Sequence, residues 1–140
     1  MSDETEVQVE PAETNEDPTP TPSTTPNPDS ILYSVKKVLG IPEDYSYFDL
    51  DIIMHINSTF MILSQLGVGP DEGFSITDDS TLWTDYLGQS SNLNLVKSYV
   101  YLKVRMLFDP PNSGALMDAL KQQINEFEWR LNVAVDPKKV

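Results

Sequence analysis

105-RMLFDPPNSGALMDAL-120 ends one helix and begins another within a handful of residues. Asp109 stands before Pro110 and Pro111. The residue before a proline is pushed out of the helical region, and proline has no N–H to continue the ladder. Asn112 or Ser113 then offers a side-chain oxygen to the free N–H groups of a new first turn. Upstream, 92-NLNLVKSYVYLKVRMLFD-109 carries Val96, Val100, Val104 and Leu107 in one row and Leu95, Tyr99, Leu102 and Met106 in another. Lys97, Lys103 and Arg105 mark its wetter side, and Asn92 is its candidate cap. Downstream, over 112–133, Met117, Leu120, Ile124, Phe127 and Leu131 recur at spacings of three and four, a narrow coiled-coil-type seam. Two such helices around so short a stop predict an antiparallel pair.

Towards the N-terminus, 29-DSILYSVKKVLGIPED-44 reads as a short helix. Asp29 or Ser30 caps it, and Ile31, Val35 and Val38 or Leu39 share a face. Lys36 and Lys37 sit where cations suit the helix dipole, Gly40 suits the left-handed stop, and Pro42 prevents continuation. Next, 48-FDLDIIMHINSTFMILSQLG-67 has Asp49 and Asp51 at its start and a stripe of Ile53, Ile56, Phe60 and Leu63. Ile52, Met54, Met61, Ile62 and Leu66 widen that stripe until the helix is apolar on most sides, which predicts burial on most sides, part of it by another subunit. Between 67 and 92, 79-DSTLWTDYLG-88 reads as one short helix capped by Asp79 or Ser80, and 73-GFSI-76 is a candidate strand. A connector this long is more often a contact element than a bare link. The fold class expected is all-α: a bundle of about four helices plus one short helix in a long middle loop.

Residues 1–29 carry eight acidic side chains and no Lys or Arg, and six of the eleven prolines lie in the same stretch. Its only sizeable apolar side chains are Met1, Val7 and Val9, too few to offset the chain entropy of folding. The expected organisation is an acidic Thr/Pro-rich arm over 1–28, disordered or extended, a helical domain over 29–134, and a tail over 135–140. Of the 22 acids and 9 bases in the chain, the rest holds 14 acids and all the bases, an ordinary surface balance without the clustered cations that grip phosphate. Cysteine is absent, which removes disulfides, thiolate ligands and thiol nucleophiles together. No apolar run reaches the length of a membrane span and the N-terminus lacks an apolar core, so a cytoplasmic site of synthesis and no membrane partner are expected.

The residues assemble no chemistry. His55 is the lone histidine and sits inside an apolar helix. Ser58 and Thr59 beside it make no triad without a second base partner and an oxyanion site. Asp78, Asp79 and Asp85 lack the spacing and the bidentate Glu of a calcium loop, so capping and solvation are the expected roles. The glycines form neither phosphate-cradling pattern. No catalytic residue, cofactor site or metal site is expected, and the chain is read as a non-enzyme. Aromatics are plentiful instead. Tyr101 projects away from both rows of its helix and Trp129 lies off its seam, which makes them candidate interface anchors.

The segments SVKKVLGI, IIMHINSTFMILSQLGVG, GFSI, LWTDYLG, VKSYVYLKVRMLFDPPNSG and EFEWRLNV together resemble the head–tail connector (adaptor) family of long-tailed bacteriophages, over about residues 30–134. The most specific pieces are YLKVRMLFDPP at 101–111, EWRLN at 128–132, and GVGP with GFSI at 67–76. The resemblance implies a virion protein of the neck, assembled in the host cytoplasm. It implies a ring of about a dozen copies under the portal protein, extending the channel through which double-stranded DNA passes without specific binding. The ring would also give a neck or tail completion protein its attachment surface. In this chain the portal-docking residues would be Trp129, Arg130, Val133, Lys138 and Lys139. Phe74, Ile76, Trp83, Tyr86 and Tyr101 would face the tail side or the next subunit. The acidic arm lies outside the resemblance. It supports an alternative from another class: a small acidic helical interaction module, or regulator, that binds a basic partner through the arm.

Overall fold

The computed structural model describes residues 26–135. Most of the expected arm and both tail lysines, Lys138 and Lys139, lie outside the described residues. Five helices follow one another: α1 Ile31–Leu39, α2 Asp49–Gln65, α3 Trp83–Leu87, α4 Leu93–Phe108 and α5 Gly114–Val135. The fold is all-α, and α3 is the short helix of the middle segment. No strand forms among the described residues; Ser30 and Leu82 make one isolated antiparallel bridge.

The centre of the bundle is α4, which packs against α1, α2 and α5. Val96, Tyr99, Val100 and Val104 of α4 are fully buried. The hairpin at 109–113 sets α5 antiparallel to α4: Tyr99 reaches Glu128 with a hydroxyl-to-carboxylate bond of 2.7 Å, while Leu102 and Arg105 lie beside Leu116 and Leu120. The seam of α5 faces α4 as its spacing predicts, with Ile124 and Leu131 buried and Leu120 and Phe127 packed against the core. On α2 Ile56, Phe60 and Leu63 of the expected stripe are buried, with Ile52 in place of Ile53, which is half-buried against the core. Leu107, the last member of the Val96–Val100–Val104 row, is 43% exposed at the end of the helix, next to the stop at Asp109.

Caps at Ser30, Gly40 and Ser113 follow the sequence, Ser113 Oγ accepting from the Leu116 N–H at 3.4 Å, and the side-chain caps expected of α3 and α4 do not form. Ser30 caps α1, accepting from the Tyr33 N–H, and Gly40 closes it in the left-handed region at φ 80°. The Gly40 and Ile41 N–H groups then return to the carbonyls of Lys37 and Lys36, so the last turn is satisfied by backbone. Asn92 occupies the cap position of α4 but makes no side-chain bond there. Neither Asp79 nor Ser80 caps α3. Its cap residue is Leu82, whose N–H is taken by the Asp85 carboxylate at 2.8 Å.

Lys36 departs furthest from expectation. It is completely buried, not a solvated cation at a helix end. Its Nζ donates to the carbonyls of Glu43 at 3.1 Å and Tyr45 at 2.8 Å and pairs with Asp49 Oδ1 at 2.8 Å. One lysine thereby ties the α1–α2 connection to the first turn of α2. The candidate strand 73–76 is also replaced by a side-chain device. Asn57, on α2, accepts from the Ile76 N–H at 2.8 Å and donates to the Ile76 carbonyl at 3.0 Å. A single amide does for Ile76 what a strand partner would do.

Candidate interaction surfaces

The middle segment is held where it is by the start of α1. The Ile31 N–H donates to the Thr81 carbonyl and the Trp83 N–H to the Asp29 carbonyl, each at 3.0 Å. Ser30 Oγ donates to the Asp79 carbonyl at 2.8 Å, and Trp83 Nε1 donates to Ser34 Oγ at 2.8 Å. The Tyr33 hydroxyl bonds the Asp79 carboxylate, and this bond to an anion pushes the phenol up to about 12. Asp78 takes both the backbone and the hydroxyl of Ser80, which hold its carboxyl below the usual range. The three aspartates thus serve three separate local structures, and among the described residues no group of three metal-ligating side chains gathers. On α2, the Thr59 hydroxyl is spent on the His55 carbonyl at 2.8 Å, and the His55 ring meets the edge of Phe108.

These bonds fold the middle segment's aromatics inward. Ile76, Trp83 and Tyr86 are buried, and Phe74 packs against Phe60 and Tyr86 at ring separations of 5.2 and 4.8 Å. Ile76, Trp83 and Tyr86 are thus core side chains, and Phe74 is half-buried against them. Their burial follows from apolar area: Phe74, Trp83 and Tyr86 all pack their rings against Phe60 of α2. The outward side of the segment is polar, with Asp71, Glu72, Ser75, Thr77 and Asp78 exposed. Tyr101 is half-buried, its ring set edge-on to Trp83 at 6.1 Å.

Trp129 and Val133 are exposed, at 65% and 43%, one turn apart on the last part of α5. Arg130 stands between them, paired with Glu126 at 2.7 Å. Trp129 and Val133, with Leu66, Asn125, Glu128 and Asn132, border an open groove of about 460 Å³. Glu128 is fixed in its wall by Tyr99, whose own phenol is raised by burial and by this bond. A second apolar surface was legible only as excess hydrophobicity of α2. Leu50, Met54 and Met61 are 79%, 64% and 62% exposed and fall within a narrow arc of the helix. Tyr47, just before the helix, is exposed as well, its ring edge-on to Phe48 at 4.9 Å. Scattered exposed apolar residues need no explanation, but an aligned stripe does.

A family model described as phage connector protein matches residues 31–138. The match spans every described helix and most of the chain, and the chain belongs to the phage connector family. Its role is that of a structural connector of a bacteriophage. No curated protein and no solved structure matches the chain. Among the described residues no helix is long and apolar enough to cross a membrane.

Proposed function

We propose that the chain forms a homo-oligomeric ring in the neck of the virion, docked on the portal protein and carrying the neck or tail completion protein. The family match is the observation that carries this reading. The surfaces support it physically. A ring is built by heterologous contact, which needs two unlike sticky faces on each subunit. Here α2 offers Leu50, Met54 and Met61, and the end of α5 offers Trp129 and Val133, on two helices that both pack on α4. Portal docking is assigned to the α5 end, through Trp129 as the aromatic anchor with Arg130 and Val133, and through Lys138 and Lys139. The tail-side surface is assigned to the middle segment and Tyr101. There the buried Ile76, Trp83 and Tyr86 support the surface, while half-buried Phe74 and the exposed polar residues meet the partner. The DNA lumen is lined without specific contacts, in keeping with an acidic body. The domain division at about residue 29 and the tail from 135 belong to the same proposal.

Alanine at Trp129 and Val133 together tests the docking assignment. Both are exposed, so unfolding should move by no more than about 0.5 kcal/mol. Co-elution with the cognate portal ring should be lost. Retention of the doubly substituted chain on the portal would refute it.

A further inference from the structure

We infer that the segment 20-PTPSTT-25 of this same chain lies along the groove between α1 and α4, against Tyr33 and Tyr101. The groove holds about 400 Å³ and is lined by those two rings, by Val38 and Lys37 of α1, and by Glu43. Pro26 and Pro28 form part of its wall, so the chain enters the described structure inside the groove itself. The entry is fixed: the Asn27 carbonyl accepts from the Ser30 N–H at 2.9 Å, and Asn27 Oδ1 accepts from the Asp29 N–H at 2.8 Å. What precedes Pro26 is therefore delivered to the groove by a turn that cannot swing freely.

Length and chemistry agree with that occupant. The nine residues of α1 extend over roughly 13 Å at about 1.5 Å per residue. An extended proline-rich strand covers that in about four residues at ~3.1 Å each. Proline restricts its own backbone and that of the residue before it, and Pro20 and Pro22 bring that restriction to this segment, so an aromatic groove would take it at reduced entropic cost. Tethering replaces a bimolecular step by an intramolecular one, so a shallow groove suffices. Charge plays a lesser part. Lys37 makes no ion pair among the described residues, Glu43 lines the same groove, and Glu16 and Asp17 precede the segment in sequence. The acidic part of the arm would then leave the body from the open end of α1 rather than from its start. The inference concerns a single chain and does not rest on the ring.

The absence of cysteine makes the test simple. A nitroxide attached to Thr21→Cys in the full isotope-labelled chain reports distance through line broadening of amide signals. Docking predicts that Lys37 and Val38 broaden more than Ile31 and Leu32, although the latter are nearer in sequence. Tyr101→Phe should keep this order and Tyr101→Ala should abolish it. Should the alanine variant lose its fold, Val38→Gln, at an exposed site, should weaken the broadening at Lys37 at least twofold. Broadening that simply decays from Asn27 along α1, indifferent to these substitutions, would overturn the inference. So would broadening seen only when a spin-labelled chain is mixed with a separate isotope-labelled one, because the segment would then sit on a neighbour.

Discussion

Replacing Lys36 by Met keeps the aliphatic stem and removes the ammonium. Three groups then lose a partner: the carbonyls of Glu43 and Tyr45 and the Asp49 carboxylate, whose Oδ1 takes no hydrogen bond apart from this ion pair. Leaving a buried acceptor unsatisfied costs about 1–3 kcal/mol, and breaking a buried pair by removing one member costs about 3–5 kcal/mol. Asp49 is 27% exposed and the loop residues Glu43 and Tyr45 are at the surface, so water can recover part of the loss. The expected destabilisation is therefore about 3 kcal/mol, the low end of that range. Urea unfolding followed by circular dichroism measures it. Adding Asp49→Asn to Lys36→Met should restore part of the loss, since the uncompensated carboxylate is gone. A cost below about 1 kcal/mol for Lys36→Met, or no recovery in the double variant, would refute the claim that this ion holds the α1–α2 connection.

Asn57→Ala should cost about 2–4 kcal/mol, because both polar groups of buried Ile76 lose their partner, and the amide protons of 73–76 should exchange faster. Gly69→Ala should destabilise by about 2 kcal/mol or more: φ is 95° there, and an added Cβ would stand 2.7 Å from the Tyr86 hydroxyl. Alkali should unfold the protein. The folded state raises Tyr33 to about 12 through its bond to Asp79 and also raises Tyr86 and Tyr99 through burial. A raised folded pKa contributes stability that is complete below the unfolded value near 10, and for Tyr33 it is lost between there and about 12. Tyr33→Phe should flatten that part of the pH–stability curve, as urea midpoints taken across the range would show.

The hairpin could be read from the chain because its signals are local. Asp109-Pro110-Pro111 stops a helix whatever surrounds it, Ser113 starts the next, and the seam of α5 needs only its own spacing. The resemblance to the connector family was legible for the same reason, since it rests on contiguous segments. What escaped depends on residues far apart in sequence. Lys36 at the end of a helix looks like a cation for the dipole until Glu43, Tyr45 and Asp49 surround it. Asn57 in mid-helix carries no mark of its bond to Ile76, nineteen residues away. Trp83 and Tyr86 read as contact residues because they sit in a long irregular segment. Only the pairing of Asp29 and Ser30 with 79–84 shows that this segment folds back and buries them. The exposed stripe of α2 is the converse case. Composition marked that helix as too apolar for a small domain, but which residues stay uncovered depends on how α4 packs.

The connector role itself is tested most directly by the native mass of the purified protein mixed with its cognate portal ring. A discrete complex carrying as many copies of this chain as there are portal subunits is expected, since symmetric docking matches the two counts. A portal ring that stays intact and takes up no copies would contradict it.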